Sequence, residues 1–208
     1  AGVAVEAILR GWLVGSRVRT SMHVARKRFG QHFLHDPAII ARIIAAIDPQ
    51  PEEALVEIGP GLGAITLPLL ERVGELHAIE IDRDAIRHLR DHAPASATLH
   101  LHEADVLKFD LGALRADSRP LRIVGNLPYN ISTPLLFRLI EQREHILDLH
   151  VMLQKEVVQR MAATASSEHY GRLSVMLAPW LKVEPLFDIG PGAFRPAPRV
   201  VSSFARLI

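Results

Sequence analysis

The sequence has no cysteine among its 208 residues, and only 5% of them are aromatic. The first absence excludes disulfide bonds, thiolate metal sites and cysteine nucleophiles, and it is typical of a reducing cytoplasm. The second means that a core built from the hydrophobic residues, 49% of the chain, must be mostly aliphatic. No stretch approaches the roughly 20 apolar residues that a membrane helix requires. We therefore expect a cytoplasmic protein that has no membrane partner.

Acidic residues are missing from both ends of the chain. Neither residues 7–35 nor residues 189–208 contain an aspartate or a glutamate, although both segments contain several arginines. Clustered positive charge attracts phosphate, so these ends indicate contact with a nucleic acid. A solvated basic terminus explains the same charges equally well.

The first 21 residues differ in composition from the rest of the chain. We interpret residues 1–21 as an N-terminal extension outside the fold, with Met22 near the natural start. Their Arg, Ser and Thr content also resembles an organelle transit peptide, but Glu6 argues against that interpretation. The length favours one domain, which we expect to occupy residues 22–208.

Strands and helices are predicted to alternate along the chain. Asp36 and Pro37 are suited to start a helix over 37–47, since aspartate is a good N-cap and proline fits the first turn. The predicted strands are 54–58, 75–81, 98–102, 121–125, 149–153 and 200–207; the predicted helices are 37–47, one ending near 72, 83–92, 133–142 and 155–163; and 173–189 is ambiguous at its start and strand-like later. This alternation predicts an α/β, Rossmann-like fold with a central, mostly parallel sheet and helices on both faces. Ligands of such sheets bind at the carboxyl ends of the strands.

A glycine-rich turn, Gly59-Pro60-Gly61-Leu62-Gly63, follows the first of these strands. Such glycines let the backbone approach a ligand closely, and the pattern also fits a dinucleotide site. Pro60 has no N–H for a pyrophosphate, however, and Glu57 is unfavourable beside a phosphate. S-adenosylmethionine (SAM) is cationic and carries no phosphate, so it fits better. The alternative is a turn that only packs strand against helix.

Two acids follow the next two strands. Glu80 ends a strand about 20 residues after the glycines, where a carboxylate can accept hydrogen bonds from both ribose hydroxyls. Asp105 follows the third strand and could accept from the adenine amino group of the cofactor. Either acid alone could be a solvated loop carboxylate. Their order at successive strand ends favours a SAM pocket.

The segment Asn126-Leu127-Pro128-Tyr129 follows the fourth strand. The exocyclic amine of adenine is a poor nucleophile because its lone pair is delocalised into the ring. The amide oxygen of Asn126 and the backbone carbonyl of Leu127 or Pro128 could accept its protons, which frees the lone pair for attack on the sulfonium methyl group. Proline fixes the backbone, and Tyr129 can stack on the base. A turn that holds these residues by chance is the alternative.

A proline-rich loop near the end of the chain contains Phe194, Arg195 and Arg199. An aromatic side chain and two arginines on a stiff loop suit a flipped-out base and its phosphates. On its own, the pattern is better explained by an ordinary proline-rich loop.

Two pairs of histidines have a spacing that could hold a metal. His88 and His92 lie one turn apart on a predicted helix, and His100 and His102 lie on one face of a predicted strand. Neither pair has an obvious third ligand, so we interpret all four as surface histidines and predict no metal site.

From about residue 26 to residue 207 the chain resembles the ribosomal RNA adenine dimethyltransferases, in particular the small-subunit (KsgA-like) enzymes. The resemblance rests on residues 27–34, 56–61, 125–134, 152–157, 170–176 and the loop from 194. It implies a class I SAM-dependent methyltransferase that dimethylates the N6 amines of two adjacent adenosines near the 3′ end of small-subunit (16S) rRNA, as part of ribosome biogenesis. It also implies SAM as cofactor, S-adenosylhomocysteine as product, no metal, and the small ribosomal subunit as partner; we expect a monomer.

The resemblance and the arguments above assign roles to individual residues. The catalytic residues are Asn126, Leu127, Pro128 and Tyr129. The cofactor-binding residues are Gln31, His32, Leu34, Glu57, Gly59, Gly61, Glu80, Ile81, Asp105, Val106 and Asn126. The RNA-binding residues are Arg26, Lys27, Arg28, Tyr129, Phe194, Arg195 and Arg199. Two features depart from the family: His32 stands where Asn is common, and we interpret the chain as the catalytic domain without the usual helical C-terminal domain.

Three other functions fit the same residues. The large-subunit methylases that confer macrolide resistance share the fold and the chemistry, but Leu127 and the match along the whole chain favour the small-subunit enzymes. A ribosome-assembly factor would use the same basic surfaces for binding alone. A DNA adenine methylase would carry out the same chemistry on another nucleic acid.

Overall fold

A computed structural model describes residues 32–115 and 119–208 of the chain. The predicted N-terminal extension, the cluster Arg26-Lys27-Arg28 and the predicted cofactor contact Gln31 lie outside the described residues.

A seven-stranded sheet forms the centre of the described part of the chain. The described residues form nine strands, of which β2 to β7 and β9 make up this sheet. They are β1 (Phe33–Leu34), β2 (Ala54–Ile58), β3 (Glu75–Glu80), β4 (Thr98–Glu103), β5 (Leu121–Asn126), β6 (Ile146–Gln154), β7 (Val183–Ile189), β8 (Phe194–Arg195) and β9 (Ser202–Leu207). Their order in the sheet is β4-β3-β2-β5-β6-β9-β7, while β1 and β8 form a separate pair. The first five strands in this order run parallel to one another, and β9 runs antiparallel to both β6 and β7. The prediction of a mostly parallel sheet is confirmed.

The helices follow the predicted bounds to within a few residues. They are α1 (Pro37–Ile47), α2 (Thr66–Val73), α3 (Arg83–His92), α4 (Ser132–Glu141), α5 (Lys155–Ala162) and α6 (Arg172–Leu177). Asp36 starts α1 as predicted, because its carboxylate accepts hydrogen bonds from the N–H groups of Ala38 and Ile39. No helix within the described ranges is long and apolar enough to cross a membrane.

The ambiguous region from residue 173 contains a short helix and then a strand. In α6, Leu173 and Leu177 are buried and lie one turn apart. A helix of six residues shows less than two full turns of the 3.6-residue period, so its pattern cannot be told from that of a strand. Strand β7 then follows over Val183–Ile189.

Both faces of the sheet are buried, which explains the long apolar stretches of its strands. Ile123 belongs to a cluster on one face, and the adjacent Val124 belongs to a cluster on the other. Leu136 of α4 packs in the first cluster, whereas Ile43 of α1 packs in the second. The helices therefore cover opposite faces and leave the strand ends free to form a site.

An ion cluster lies near the amino ends of β5 and β6, opposite the carboxyl ends of the strands. Arg122 donates hydrogen bonds to Asp148 over 3.0 Å, to the carbonyl of Ile47 over 2.8 Å, and to Glu53. Although burial on its own raises the pKa of the Asp148 carboxyl, His150 and the Arg122 guanidinium hold that pKa well below its usual range. The cluster thus ties β2, β5 and β6 together at the end opposite the site.

Candidate cofactor and substrate site

A cavity of about 290 Å³ lies at the carboxyl ends of β2, β3 and β5. β3 and β5 flank β2 on opposite sides, so the chain reverses its direction across the sheet at this point. Open α/β sheets bind ligands at such a reversal, because the loops that leave neighbouring strands diverge there and open a crevice.

The predicted cofactor and catalytic residues meet in this one cavity. Those within the described ranges that line it are His32, Leu34, Glu57, Gly59, Gly61, Glu80, Ile81, Asp105, Val106, Asn126, Leu127, Pro128 and Tyr129. Sequence reasoning did not single out other wall residues, among them Phe33, Ile65 and Ile131. These apolar side chains have no chemistry that would single them out within their segments, and only the fold shows that they face a cavity.

The glycine turn brings the backbone close to its neighbours. Gly61 has a φ of +55°, and a Cβ atom there would lie 3.3 Å from the Phe33 ring. Its N–H donates a hydrogen bond to Glu80 over 3.1 Å. A side chain at this position would be strained and would also press on the ring, so glycine is required here.

Backbone N–H groups hold the carboxylate of Glu80 in place. One oxygen, Oε1, accepts from Ile81 over 2.8 Å and from Asp82 over 2.9 Å, while Oε2 accepts from Gly61. Burial raises the pKa of this carboxyl, and the three backbone hydrogen bonds act against the rise. A carboxylate oxygen has two lone pairs, so Oε2 keeps one acceptor position for a ligand hydroxyl.

Asp105 lies in a loop that is anchored to the sheet. Its Oδ1 accepts a hydrogen bond from the N–H of Leu107 over 3.0 Å. The N–H of the preceding residue, Ala104, donates to the carbonyl of Glu80 over 3.0 Å. The two acids are therefore held in a defined relationship along one wall of the cavity.

Glu57 is a buried acid without a hydrogen-bond partner for one of its oxygens. It lies in β2 and is 1% exposed, and its Oε2 has no partner among the residues that the structure describes. Burial raises the pKa of this carboxyl to about 8; the Thr66 hydroxyl opposes the rise, and the negative charge of Glu80 adds to it. An unpaired carboxyl in a cavity wall suits a ligand that carries a positive charge or a proton donor.

Hydrogen bonds position the segment that follows β5. The amide nitrogen of Asn126 donates to the carbonyl of His32 over 3.0 Å, and the N–H of Leu127 donates to the carbonyl of Met152 over 3.1 Å. The carbonyl of Pro128 already accepts from the N–H of Ile131 over 3.2 Å. Because the amide nitrogen of Asn126 is engaged, its amide oxygen is the group left for a ligand.

A short segment at residues 32–35 covers the cavity. β1 pairs with β8, which places Leu34 opposite Phe194. The Nδ1 atom of His32 lies 2.7 Å from the carbonyl oxygen of Pro196, and its ring stacks on Tyr129 with 5.7 Å between centroids. The hydroxyl of Tyr129 is in turn 2.6 Å from the hydroxyl of Ser202. We call residues 32–35 the strap.

The proline-rich loop differs from its predicted role in one respect. Phe194 is only 2% exposed and packs in the second core cluster, so the prediction that it is presented to a base is wrong. The reason is the pairing of β8 with β1, since adjacent residues of a strand point to opposite faces. Phe194 consequently points inwards, whereas Arg195 is exposed, as is Arg199 beyond the strand.

Residues 22–208 match the family model described as ribosomal RNA adenine dimethylase. A protein of Marinobacter nauticus named ribosomal RNA small subunit methyltransferase A is 57% identical over 186 residues, which is 89% of this chain and 67% of that protein. A protein of the same name from Aromatoleum aromaticum is 59% identical over 189 residues, or 90% of this chain and 69% of that protein. The chain thus spans about two thirds of the length of these relatives.

Solved structures are similar over the same region. A dimethyladenosine transferase from Plasmodium falciparum has a TM-score of 0.72 and 30% identity, covering 85% of this chain and 63% of that chain. The 23S rRNA methyltransferase ErmE has a TM-score of 0.72 and 27% identity, covering 84% of this chain and 68% of that chain. The chain therefore belongs to the ribosomal RNA adenine dimethylase family, and it is a SAM-dependent rRNA methyltransferase built on the class I fold.

Proposed function

We propose that this chain dimethylates the N6 amines of two adjacent adenosines near the 3′ end of 16S rRNA in the small ribosomal subunit. The reaction would be a step of ribosome biogenesis in the cytoplasm, with the chain acting as a monomer whose catalytic domain is residues 22–208. The observation that carries the proposal is that Asn126 and Leu127 line the same cavity as Glu80 and Asp105. Acceptors for a target amine and acceptors for a nucleoside cofactor therefore adjoin one another.

The acids of the cavity fit the polar groups of SAM. Oε2 of Glu80 has one acceptor position left, which suits one ribose hydroxyl, and Asp105 suits the adenine amino group. Glu57 provides the buried, unpaired carboxyl that the ammonium or sulfonium group of SAM would stabilise. When bound, SAM supplies a methyl group that passes to the amine nitrogen as its bond to sulfur breaks, which gives S-adenosylhomocysteine.

The residues after β5 would prepare the amine for this transfer. The amide oxygen of Asn126 accepts one N–H of the target adenine, because the amide nitrogen is already engaged with His32. The carbonyl of Leu127 is our choice for the second acceptor, since that of Pro128 keeps only one lone pair after it accepts from Ile131. With both protons accepted, the lone pair of nitrogen is localised for attack. No strong general base is required, because the product ammonium loses its proton readily to water.

Other residues would hold the RNA. Tyr129 is half-buried beside His32, so that one side of its ring is supported by stacking while the other can meet the target base. Arg195 and Arg199 are exposed next to the cavity cover and can contact phosphates. We extend the same role to Arg26, Lys27 and Arg28 on the basis of charge alone. Phe194 supports this surface from below rather than contacting RNA.

The small subunit is favoured over the large subunit by degree of similarity. The relatives at 57% and 59% identity carry the small-subunit name, whereas the large-subunit enzyme ErmE is 27% identical. The large-subunit enzyme ErmE shares the fold of this chain, so the target RNA has to be tested directly.

The test is methyl transfer to ribosomal subunits. Small and large subunits from a strain that lacks the modification are incubated separately with the chain and radiolabelled SAM, and the labelled nucleosides are then identified. We expect N6,N6-dimethyladenosine in 16S rRNA and its loss in Asn126→Ala even when SAM is saturating. Label in 23S rRNA alone, in duplex DNA, or in no substrate despite SAM binding would contradict the proposal; the last result would favour a binding role in ribosome assembly.

A further inference from the structure

A cluster of imidazoles lies on the outer strands of the sheet. β3 and β4 pair in parallel with His77 opposite His100. Residues two apart in a strand share a face, so Glu75 joins His77 and His102 joins His100 on that face. We call these four residues the histidine cluster. None of them lines the cofactor cavity.

The side chains of the histidine cluster are in direct contact. Nε2 of His100 is 2.8 Å from Oε1 of Glu75, and Nδ1 of His77 is 3.0 Å from Nε2 of His102. The ring of His77 stacks at 4.5 Å on that of His100 and at 5.2 Å on that of His102. One ligand atom each from Glu75, His77 and His100 lie within 4.8 Å of one another.

We propose that Glu75, His77 and His100 bind a divalent transition metal ion of the zinc class. Imidazole nitrogen and carboxylate oxygen are ligands that Zn²⁺ accepts at about 2.0–2.2 Å, with water free to complete a tetrahedron. Side chains of Glu75 and His100 are 63% and 40% exposed, so they have room to move the short distance needed to converge on one ion. The site is structural and is separate from the proposed methyl transfer.

His102 does not contact the metal in this arrangement but orients the ring of His77. Metal-bound histidines usually donate their other ring N–H to a neighbouring acceptor, which fixes the orientation of the ring. Nε2 of His102 can accept that hydrogen bond from Nδ1 of His77, which leaves Nε2 of His77 for the metal. The ring of His102 is itself held by an edge contact with Phe109, with 5.4 Å between centroids.

The electrostatics of the histidine cluster also favour a metal. Glu75 contributes the negative charge that a bare group of imidazoles lacks.

The second histidine pair provides an internal comparison. His88 and His92 stack at 4.0 Å on α3, but Nδ1 of His92 is 2.7 Å from the carbonyl oxygen of His88. Among the described residues, this pair does not belong to a group of three or more possible metal ligands. Replacement of His88 and His92 is therefore a matched control, because it removes the same residue type at another site.

The experiment is a titration of the untagged, chelator-treated 208-residue chain with Zn²⁺, measured by calorimetry and by thermal unfolding. We expect one ion per chain and a melting temperature that rises by roughly 5 °C or more when Zn²⁺ exceeds Kd about 100-fold. His100→Gln is expected to weaken binding at least tenfold while the melting temperature of the metal-free protein stays unchanged. The double variant His88→Gln, His92→Gln should bind as tightly as the wild type.

Co²⁺ provides a second measurement that does not depend on stability. Tetrahedral coordination by nitrogen and oxygen produces visible absorption bands, which we expect for the wild type and expect to be lost in Glu75→Gln and His100→Gln. Absence of saturable one-to-one binding would overturn the proposal. So would equal affinity of His100→Gln and the wild type, or a loss of binding only when His88 and His92 are replaced.

Discussion

The side-chain amide of Asn126 donates a hydrogen bond to the backbone carbonyl of His32, a residue 94 positions earlier in the chain, over 3.0 Å. This contact joins the end of β5 to the strap and orients the amide. Because nitrogen is turned towards the strap, oxygen is the atom available to a substrate amine. One hydrogen bond thus relates the cover of the cavity to the group proposed to act on adenine.

Asn126→Asp tests whether the amide nitrogen is needed. A carboxylate has nearly the same shape, but it cannot donate to the carbonyl of His32, and it would repel the oxygen of that carbonyl. We expect kcat for rRNA methylation to fall by roughly 100-fold, the scale seen when one preorganised hydrogen-bonding group is lost from an active site. Steady-state kinetics with saturating SAM would check this, and activity within threefold of the wild type would contradict it.

His32→Ala tests the strap. The substitution removes the hydrogen bond to Pro196 and the stacking on Tyr129, so the cover of the cavity loosens. We expect KM for SAM to rise by about tenfold, with a smaller change in kcat. His35→Ala is the matched control, since this side chain is exposed and only its backbone N–H bonds to Ala193. Equal effects of the two substitutions would show that the contacts of His32 are unimportant.

Glu57→Gln tests the raised pKa of the buried carboxyl. With a folded-state pKa of about 8 and an ordinary value of 4.5, wild-type Glu57 costs no stability below pH 4.5 and costs progressively more as the pH rises to 8. Glutamine cannot ionise, so the variant escapes this cost. The free energy of unfolding of the variant relative to wild type should rise by roughly 2–4 kcal/mol between pH 4.5 and 8. Denaturant unfolding across that range would measure it, and parallel pH profiles would contradict it.

Asp148→Asn tests the ion cluster near the amino ends of β5 and β6. Asp148 is 1% exposed and pairs with Arg122 and Arg206, so its neutralisation removes one of the two carboxylates that compensate the buried Arg122 guanidinium. We expect a loss of about 3–5 kcal/mol in the free energy of unfolding. Asp188→Asn removes an exposed pair with Lys155 and should cost about 0–1 kcal/mol.

The pH dependence of the ion cluster follows from the lowered pKa of Asp148. A carboxyl whose pKa is lower in the folded state contributes its full stabilisation above its unfolded pKa, near 4, and loses it as the pH falls further. Wild-type protein should therefore lose more stability than Asp148→Asn when the pH is lowered from 5 to 2. Equal losses in urea unfolding at these two pH values would contradict this assignment.

The strands that form the cavity could be predicted because their signals are local. The buried stretch 54–58 ends directly at the glycine turn. Glu80 ends the next strand, and Asp105 follows the strand after that. Parallel strands bring their carboxyl ends to one edge, so the order of motifs along the chain was enough to predict that these residues meet.

Other features depend on contacts between distant residues and have no local signal. β1 and β8 contain two residues each, too few for a period, and their pairing decides that Phe194 points inwards. The histidine cluster also depends on pairing, because His100 and His102 gain Glu75 and His77 only when β4 lies beside β3 in this register. The sequence shows the spacing of His100 and His102, but it indicates neither their partners on β3 nor the pairing of β1 with β8.

The pairing of the strap with β8 has a consequence for the order in which the protein becomes functional. The glycine turn, Glu80 and Asp105 are synthesised before residue 106, yet the strap is held by Pro196 and by its pairing with β8. During translation, a nascent chain that has already folded β2, β3 and β4 still lacks the cover of its cavity. Closure of this cavity is thus a high-contact-order property that is acquired only after residues 194–196 have been synthesised.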